Sequence, residues 1–176
     1  VVPTREPGGS PGGEQIRRLL VEGAGERWSP GTELLLFTAA RRDHLERTIR
    51  PALARGAVVV SDRFADSTRV YQGAARADLR ATVDRLHDPM IGVEPDLTLV
   101  IDADPAVALG RGKARGAGED RFENMGLPFQ ARLRAGFLAL AAEAPARVRV
   151  VDGSGSAEDV AAPRRAAGGA RPGAVA

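Results

Sequence analysis

The chain has 176 residues, of which 25 are Lys or Arg and 23 are Asp or Glu, so its net charge is only +2. Basic and acidic residues are interleaved and aromatic residues make up 4%, a composition unlike the basic, aromatic-rich surface of a nucleic-acid binder. The lack of cysteine excludes disulfides and cysteine metal sites. No apolar run approaches the ~20 residues of a membrane span, and the N-terminus has no signal-peptide pattern, so we predict a soluble cytoplasmic domain.

The first half of the chain predicts two strands connected by helices. In chain order these are a short strand at 1–3, helices over about 13–22 and 30–55, a strand over 57–61, and helices that begin near 66 and 78. Ser29 and Pro30 are typical of a helix cap and first helical residue. The run of valines from 58 to 60 is apolar at every position, which predicts a strand buried on both faces.

The second half repeats the alternation of strands and helices. It predicts a strand over 97–102, a helix from Asp104-Pro105 toward Arg115, a helix over 128–142, a strand over 148–152 and a short helix near 157. The fold class that follows is α/β, a three-layer sandwich with a parallel sheet between helices. The glycine-rich, charged stretch 110–121 predicts a mobile lid, and residues 161–176 predict a disordered tail outside a domain spanning 1–160.

Charged residues follow the strand 57–61 directly, as Asp62 and Arg63. Arg5 follows the first strand in the same way. The carboxyl ends of parallel strands form the ligand-binding edge of an open α/β sheet, so Arg5 and Arg63 could converge on one anion there. The planar fork of Arg suits phosphate, although charges at a strand end can also simply face water.

Two further stretches admit a functional and a structural interpretation. Phe37 and Arg41 lie four residues apart on one helix face, either as a platform and edge-reader for a flat base or as a core Phe with a solvated Arg. GRGKARG, residues 110–116, is not a P-loop, because Ala follows its Gly-Lys pair. It is either a solvated loop or a lid that closes over phosphates. His44 and His87 are expected at the surface.

Six ordered motifs between about residues 3 and 152 resemble bacterial thymidylate kinase: TREPGG, ELLLFTAAR, SDRFADSTRVYQGAAR, PDLTLVID, RGKARG and DRFE. The resemblance implies a P-loop kinase fold and transfer of the γ-phosphoryl group of ATP, with Mg²⁺, to thymidine monophosphate (dTMP), giving the diphosphate. It also implies a homodimer.

The resemblance assigns roles to individual residues. Phe37 would stack on thymine and Arg41 would bond a keto oxygen of the ring, with Ser67 and Thr68 beside the base. Arg5 and Arg63 would hold the phosphate of dTMP. Asp62 would orient Arg63 and help to place a magnesium-bound water. Tyr71 and Gln72 would close the pocket near the sugar, and Arg111, Lys113 and Arg115 would reach the ATP phosphates.

The sequence departs from the family at three places. The family's P-loop, with its strand and helix, precedes TREPGG, so we expect an N-terminally truncated chain that is inactive without it. Lys113 stands where many bacterial members have Arg, and the residues after 159 lack an amphipathic helix. Two alternatives stay open: a kinase for another nucleoside monophosphate, and a non-catalytic nucleotide-binding remnant.

Overall fold

In a computed structural model, the chain is described at residues 1–23, 27–75, 78–115, 122, 125–156 and 158–160. The strands are β1 (Val2–Arg5), β2 (Val59–Asp62), β3 (Thr98–Asp102) and β4 (Val148–Asp152). The helices are α1 (Pro11–Val21), α2 (Pro30–His44), α3 (Arg50–Ala54), α4 (Ala65–Val70), α5 (Arg80–Met90), α6 (Pro105–Arg115) and α7 (Leu127–Glu143). Two π-helical turns, Leu45–Ile49 and Tyr71–Ala75, follow α2 and α4.

All four predicted strands are present, and their pairing is parallel. The described strands form two pairs, β1 with β2 and β3 with β4, where the sequence predicts one sheet. Each pair is connected through helices, as parallel neighbours require. The α/β fold class is therefore confirmed.

Helix α2 begins after Ser29, the cap that the sequence indicates, whereas α1 begins at Pro11, two residues before its predicted start. Ser10 and Ser29 each accept a hydrogen bond from a backbone N–H three residues on, and each is followed by Pro. A serine oxygen thereby satisfies a backbone donor that the first turn leaves without a helical partner. These caps fix where α1 and α2 begin, and so fix the loop between β1 and α1.

The prediction that β2 is buried on both faces is wrong. Val58 and Val60 are 54% and 56% exposed, whereas Val59 packs against the core residues Leu45 and Ile49. Successive side chains of a strand point to opposite faces. Within the described part of the chain, only the face that carries Val59 is covered.

Residues 110–115, predicted both as the end of a helix that reaches toward Arg115 and as the start of a loop, are helical. α6 spans Pro105–Arg115 and includes Gly110 and Gly112, and Pro105 occupies its first position, as is common at helix starts. Residues 116–121 and the predicted tail, 161–176, lie outside the described residues.

The larger part of the core lies between α7 and the pair β3–β4. Phe129, Leu133 and Leu140 of α7 pack against Val100 and Val148 of those strands. A second group, around Leu45, supports the end of α2 and β2. Among the described helices, none is long and apolar enough to cross a membrane.

Candidate functional site

The carboxyl ends of β1 and β2 meet at one edge of their pair, as the sequence predicts. Arg5 is the register partner of Asp62, and the backbone N–H of Glu6 donates to the carbonyl oxygen of Asp62 at 2.9 Å. Arg5 ends β1 and Arg63 directly follows β2, so both residues lie at this edge.

Arg63 has a backbone conformation that non-glycine residues rarely adopt. Its φ is +70°, and its carbonyl oxygen accepts a hydrogen bond from the hydroxyl of Ser61 at 2.7 Å. Its guanidinium carbon lies 5.0 Å from the ring centroid of Tyr71, a cation–π distance. Such strain persists only where surrounding contacts hold it, and it concentrates at functional sites.

Arg5 is linked to the start of α1. Its Nη2 lies 3.1 Å from Glu14 Oε2, and the backbone N–H of Gly9 donates to Glu14 Oε1 at 3.0 Å. The Gly9 bond and the Arg5 guanidinium together lower the pKa of Glu14 below its ordinary value. Half of the Arg5 side chain stays exposed, so this partner orients Arg5 without covering it.

Arg41 is 4% exposed, which excludes the solvated Arg that its helix position alone would allow. Its Nε donates to Glu6 Oε2 at 2.7 Å and its Nη2 to Thr68 Oγ1 at 2.9 Å. Its Nη1 makes no hydrogen bond with the residues that the structure describes. Phe37, one turn earlier on α2, is half-buried, with its ring 6.4 Å from that of Phe122. The structure thus brings Arg41 and Thr68 together, and Phe37 lies one helical turn before Arg41 on α2.

Glu6, His44 and Thr4 were not predicted as site residues. Glu6 is 5% exposed and His44 is fully buried, so the expectation of a surface His44 is wrong. His44 Nδ1 lies 3.0 Å from Glu6 Oε1, and Nε2 lies 2.7 Å from Thr4 Oγ1. The spacing could have indicated that His44 lies near the site, because it follows Arg41 by three residues and shares its helix face. His87, also expected at the surface, is 6% exposed.

Tyr71 and Gln72 lie where α4 becomes a π-helical turn, a geometry frequent at functional sites. The Tyr71 ring meets Phe122 edge-on at 5.4 Å and also contacts the rings of Phe129 and Phe137. Gln72 is 1% exposed and donates to Glu33 Oε2 at 3.3 Å, while its buried Oε1 has no hydrogen-bond partner among the described residues. Ser67 is half-buried.

The residues expected to meet ATP and Mg²⁺ are described only in part. Asp62 is exposed at the strand end. Arg111 donates to the carbonyl oxygens of Gly153, Ser154 and Gly155 at 2.7 to 3.1 Å, which ties α6 to the loop after β4. The side chains of Lys113 and Arg115 lie outside the described part. The described residues contain no group of three or more His, Cys, Asp or Glu able to hold a metal ion.

These features define a parallel α/β protein in which Arg5, Asp62 and Arg63 lie at or just beyond the carboxyl ends of the paired strands β1 and β2. The chain belongs to the thymidylate kinase family, whose profile matches residues 1–163. Thymidylate kinases of Dinoroseobacter shibae and Jannaschia sp. are 70% and 68% identical to it, each over 90% of this chain and 77% and 76% of their own lengths. The crystal structure of thymidylate kinase from Ehrlichia chaffeensis has a TM-score of 0.74 at 32% identity, over 94% of this chain and 78% of that one.

Proposed function

We propose that this chain is a nucleoside monophosphate kinase that transfers the γ-phosphoryl group of ATP to dTMP. Arg5 and Arg63 hold the acceptor phosphate, Phe37 stacks on thymine, and Arg41 donates to a keto oxygen of the ring. Ser67 and Thr68 lie beside the base, and Tyr71 and Gln72 close the pocket on the sugar side. The proposal includes a homodimeric cytoplasmic enzyme with no nucleic-acid or membrane partner.

The proposal rests on the hydrogen bonds that hold the guanidinium of Arg41. Two of its three nitrogens are engaged by Glu6 and Thr68, so the guanidinium is held in one orientation with Nη1 left to donate. A fixed donor beside an aromatic ring discriminates between bases, because a base that presents an amino group in place of a keto oxygen offers that donor no acceptor. This arrangement favours thymine over adenine.

The acceptor phosphate would meet two arginines at the sheet edge. Phosphoryl transfer depends on positioning and on neutralising charge, and a strained, contact-held Arg63 supplies a fixed cation for both. Mg²⁺ is commonly held by one or two carboxylates together with waters and substrate phosphates. The exposed carboxylate of Asp62 fits that role through a water, and it also lies next to Arg63, which it would orient.

ATP would bring the phosphoryl group that is transferred. We assign Arg111, Lys113 and Arg115 of α6 to its phosphates, as the cationic groups that offset the charge of the transition state. Arg111 must first release the three carbonyl oxygens that it now holds. Its contribution therefore requires a rearrangement between α6 and the loop after β4.

The test combines binding and turnover. In calorimetry, dTMP should bind more tightly than adenosine or guanosine monophosphate. Turnover is then tested by incubation with ATP, Mg²⁺ and dTMP, using this chain and a version joined upstream to a family P-loop segment; the joined version should yield thymidine diphosphate, detected by chromatography. Equal or tighter binding of adenosine monophosphate would contradict the thymidylate assignment and favour a kinase for another nucleotide. Selective dTMP binding without turnover by either version would favour the non-catalytic nucleotide-binding alternative.

A further inference from the structure

We infer that His44 and Glu6 are positioning residues for Arg41, so that base discrimination depends on a histidine that does not touch the base. The inference rests on the proposed function, in which Arg41 reads the acceptor base. It concerns a buried chain of hydrogen bonds that connects β1 with α2 and α4, formed by Thr4, His44, Glu6, Arg41 and Thr68. We call it the Glu6 chain.

Both carboxylate oxygens of Glu6 are used. Oε2 accepts from Arg41 Nε at 2.7 Å, and Oε1 lies 3.0 Å from His44 Nδ1. The side chains of Arg41, His44 and Glu6 are at most 5% exposed, so water cannot replace a lost partner without entering the core. A carboxylate with only one of its two partners would be free to rotate, and Arg41 would rotate with it.

The donor and acceptor pattern fixes the protonation of the ring at Nδ1. A carboxylate already paired with a guanidinium is an acceptor only, so His44 Nδ1 must carry the proton that bonds Glu6. Thr4 Oγ1, 2.7 Å from Nε2, can then donate to Nε2 in the neutral ring or accept from it in the charged ring. Either way Thr4 holds the ring plane, and the ring holds Glu6.

The loop after β1 packs closely against the Glu6 chain. A Cβ on Gly9 would come within 2.4 Å of His44 Nε2 and 2.5 Å of Thr4 Oγ1, so the loop after β1 packs directly on the ring. The π-helical turn Leu45–Ile49 begins immediately after His44, and Thr48 in that turn donates to the carbonyl oxygen of Gly9 at 2.7 Å. The same loop directly follows Arg5 at the end of β1, so the Glu6 chain also connects the proposed base contact with the proposed phosphate site.

The roles of Nδ1 and Nε2 can be separated by substitution. The amide nitrogen of Asn occupies about the position of Nδ1, so His44→Asn retains a donor for Glu6. His44→Gln instead places its amide near Nε2 and loses that donor, and His44→Leu loses both contacts while filling most of the volume. Thr48→Val is the matched control, because it removes a hydrogen bond to the same loop outside the Glu6 chain.

The readout is the ratio of dTMP to deoxycytidine monophosphate affinities, measured by calorimetry on variants shown to be folded by circular dichroism. These nucleotides differ at the ring position where a keto oxygen accepts and an amino group does not. We expect His44→Leu and His44→Gln to lower the ratio about tenfold, the effect of one charge-assisted hydrogen bond. His44→Asn and Thr48→Val should keep it within about threefold of the parent.

The outcomes separate this inference from the proposed function. A parent chain that binds the two nucleotides equally would contradict the proposed function itself. A parent preference that His44→Leu and His44→Gln both retain would overturn the positioning role. If the role of His44 were purely structural, its substitution would weaken the binding of both nucleotides alike and leave the ratio of their affinities unchanged. That result would also overturn the inference. If His44→Leu fails to fold, the comparison of His44→Asn with His44→Gln decides, and equal ratios for the two would count against the inference.

Discussion

Arg63 combines a proposed functional role with a positive φ, a backbone conformation that arginine rarely adopts. A positive φ favours glycine, yet this position carries the side chain that the proposed function needs most. The Ser61 hydroxyl holds its carbonyl oxygen and the Tyr71 ring lies beside its guanidinium. Contacts of this kind stabilise a backbone conformation that costs about 1–3 kcal/mol elsewhere.

Arg63→Ala removes a guanidinium fork from the proposed phosphate site. Loss of a charge-assisted fork should weaken dTMP binding by about 1.5–3 kcal/mol, while thymidine, which has no phosphate, should bind nearly as before. The control, Arg63→Lys, keeps the charge without the fork, so its affinity for dTMP should lie between those of the parent and of Arg63→Ala. Calorimetry with both ligands checks this, and an equal loss for thymidine would mean that Arg63 is structural.

At the scale of elements, the loop between β1 and α1 is shaped by the helix against which it packs. Gly9 has φ +75°, and a Cβ there would overlap His44 and Thr4. Gly56 has φ +73° but no atom within 4 Å of such a Cβ. A Cβ would therefore meet a similarly unfavourable φ at both glycines, and the two sites differ in how closely other atoms pack around it.

This pair gives a controlled prediction for stability. Gly56→Ala should lower the free energy of unfolding by about 1 kcal/mol, the strain of a positive φ. Gly9→Ala should lower it by about 2–4 kcal/mol, because overpacking adds to the same strain. Urea unfolding of both variants measures the difference. Equal losses would show that the loop shifts away from His44 at no cost.

At the scale of the whole molecule, a buried ionic cluster joins the β2–α4 part to the β3–β4 part. Asp66 of α4 accepts from Thr98 of β3 and from Arg147, which precedes β4. Arg69 pairs with Asp66 and with Glu94. Burial acts to raise the pKa of Asp66, but the bonds from Arg147 and Thr98 outweigh it and lower that pKa. The two strand pairs are thus linked by charge as well as by apolar packing.

Glu94 makes the acid stability of this cluster testable. Burial raises its pKa, whereas contacts with His87 and Arg69 lower it, and the net pKa is about 2 against an ordinary value of 4.5. A carboxylate whose pKa is lower in the folded state than in the unfolded state stabilises the fold at pH values above its unfolded-state pKa. That stabilisation is lost as the pH falls through its folded-state pKa. His87 Nε2 lies 3.1 Å from Glu94 Oε1, and the Arg69 guanidinium pairs with the same carboxylate, so both contacts favour its charged form.

We therefore expect Glu94→Gln to be less stable than the parent above about pH 5, with a difference that disappears near pH 2. Urea midpoints measured across that range provide the check. The side chain is 40% exposed, so solvent screening makes the loss smaller than the pKa alone implies. A stability difference that stays constant down to pH 2 would contradict the assignment of the lowered pKa to Glu94.

The sequence alone predicted the order of strands and helices, the cap at Ser29 and the sheet edge at which Arg5 and Arg63 lie, because these depend on local periodicity and on the geometry of parallel strands. It also marked Phe37 and Arg41 as neighbours on one helix face. It did not predict that β2 is exposed on one face, since burial depends on which elements cover a strand. For residues 110–115 it predicted both the end of a helix and the start of a loop, and the structure has a helix there.

Only the tertiary structure decided the surroundings of Arg41. A helix position fixes which face a side chain occupies but not what lies opposite, so His44 was equally compatible with water and with a buried carboxylate. Its partners Glu6 and Thr4 are 38 and 40 residues away along the chain. Hydrogen bonds over such separations are set by how β1 packs against α2, and that packing is a property of the whole fold rather than of any local pattern.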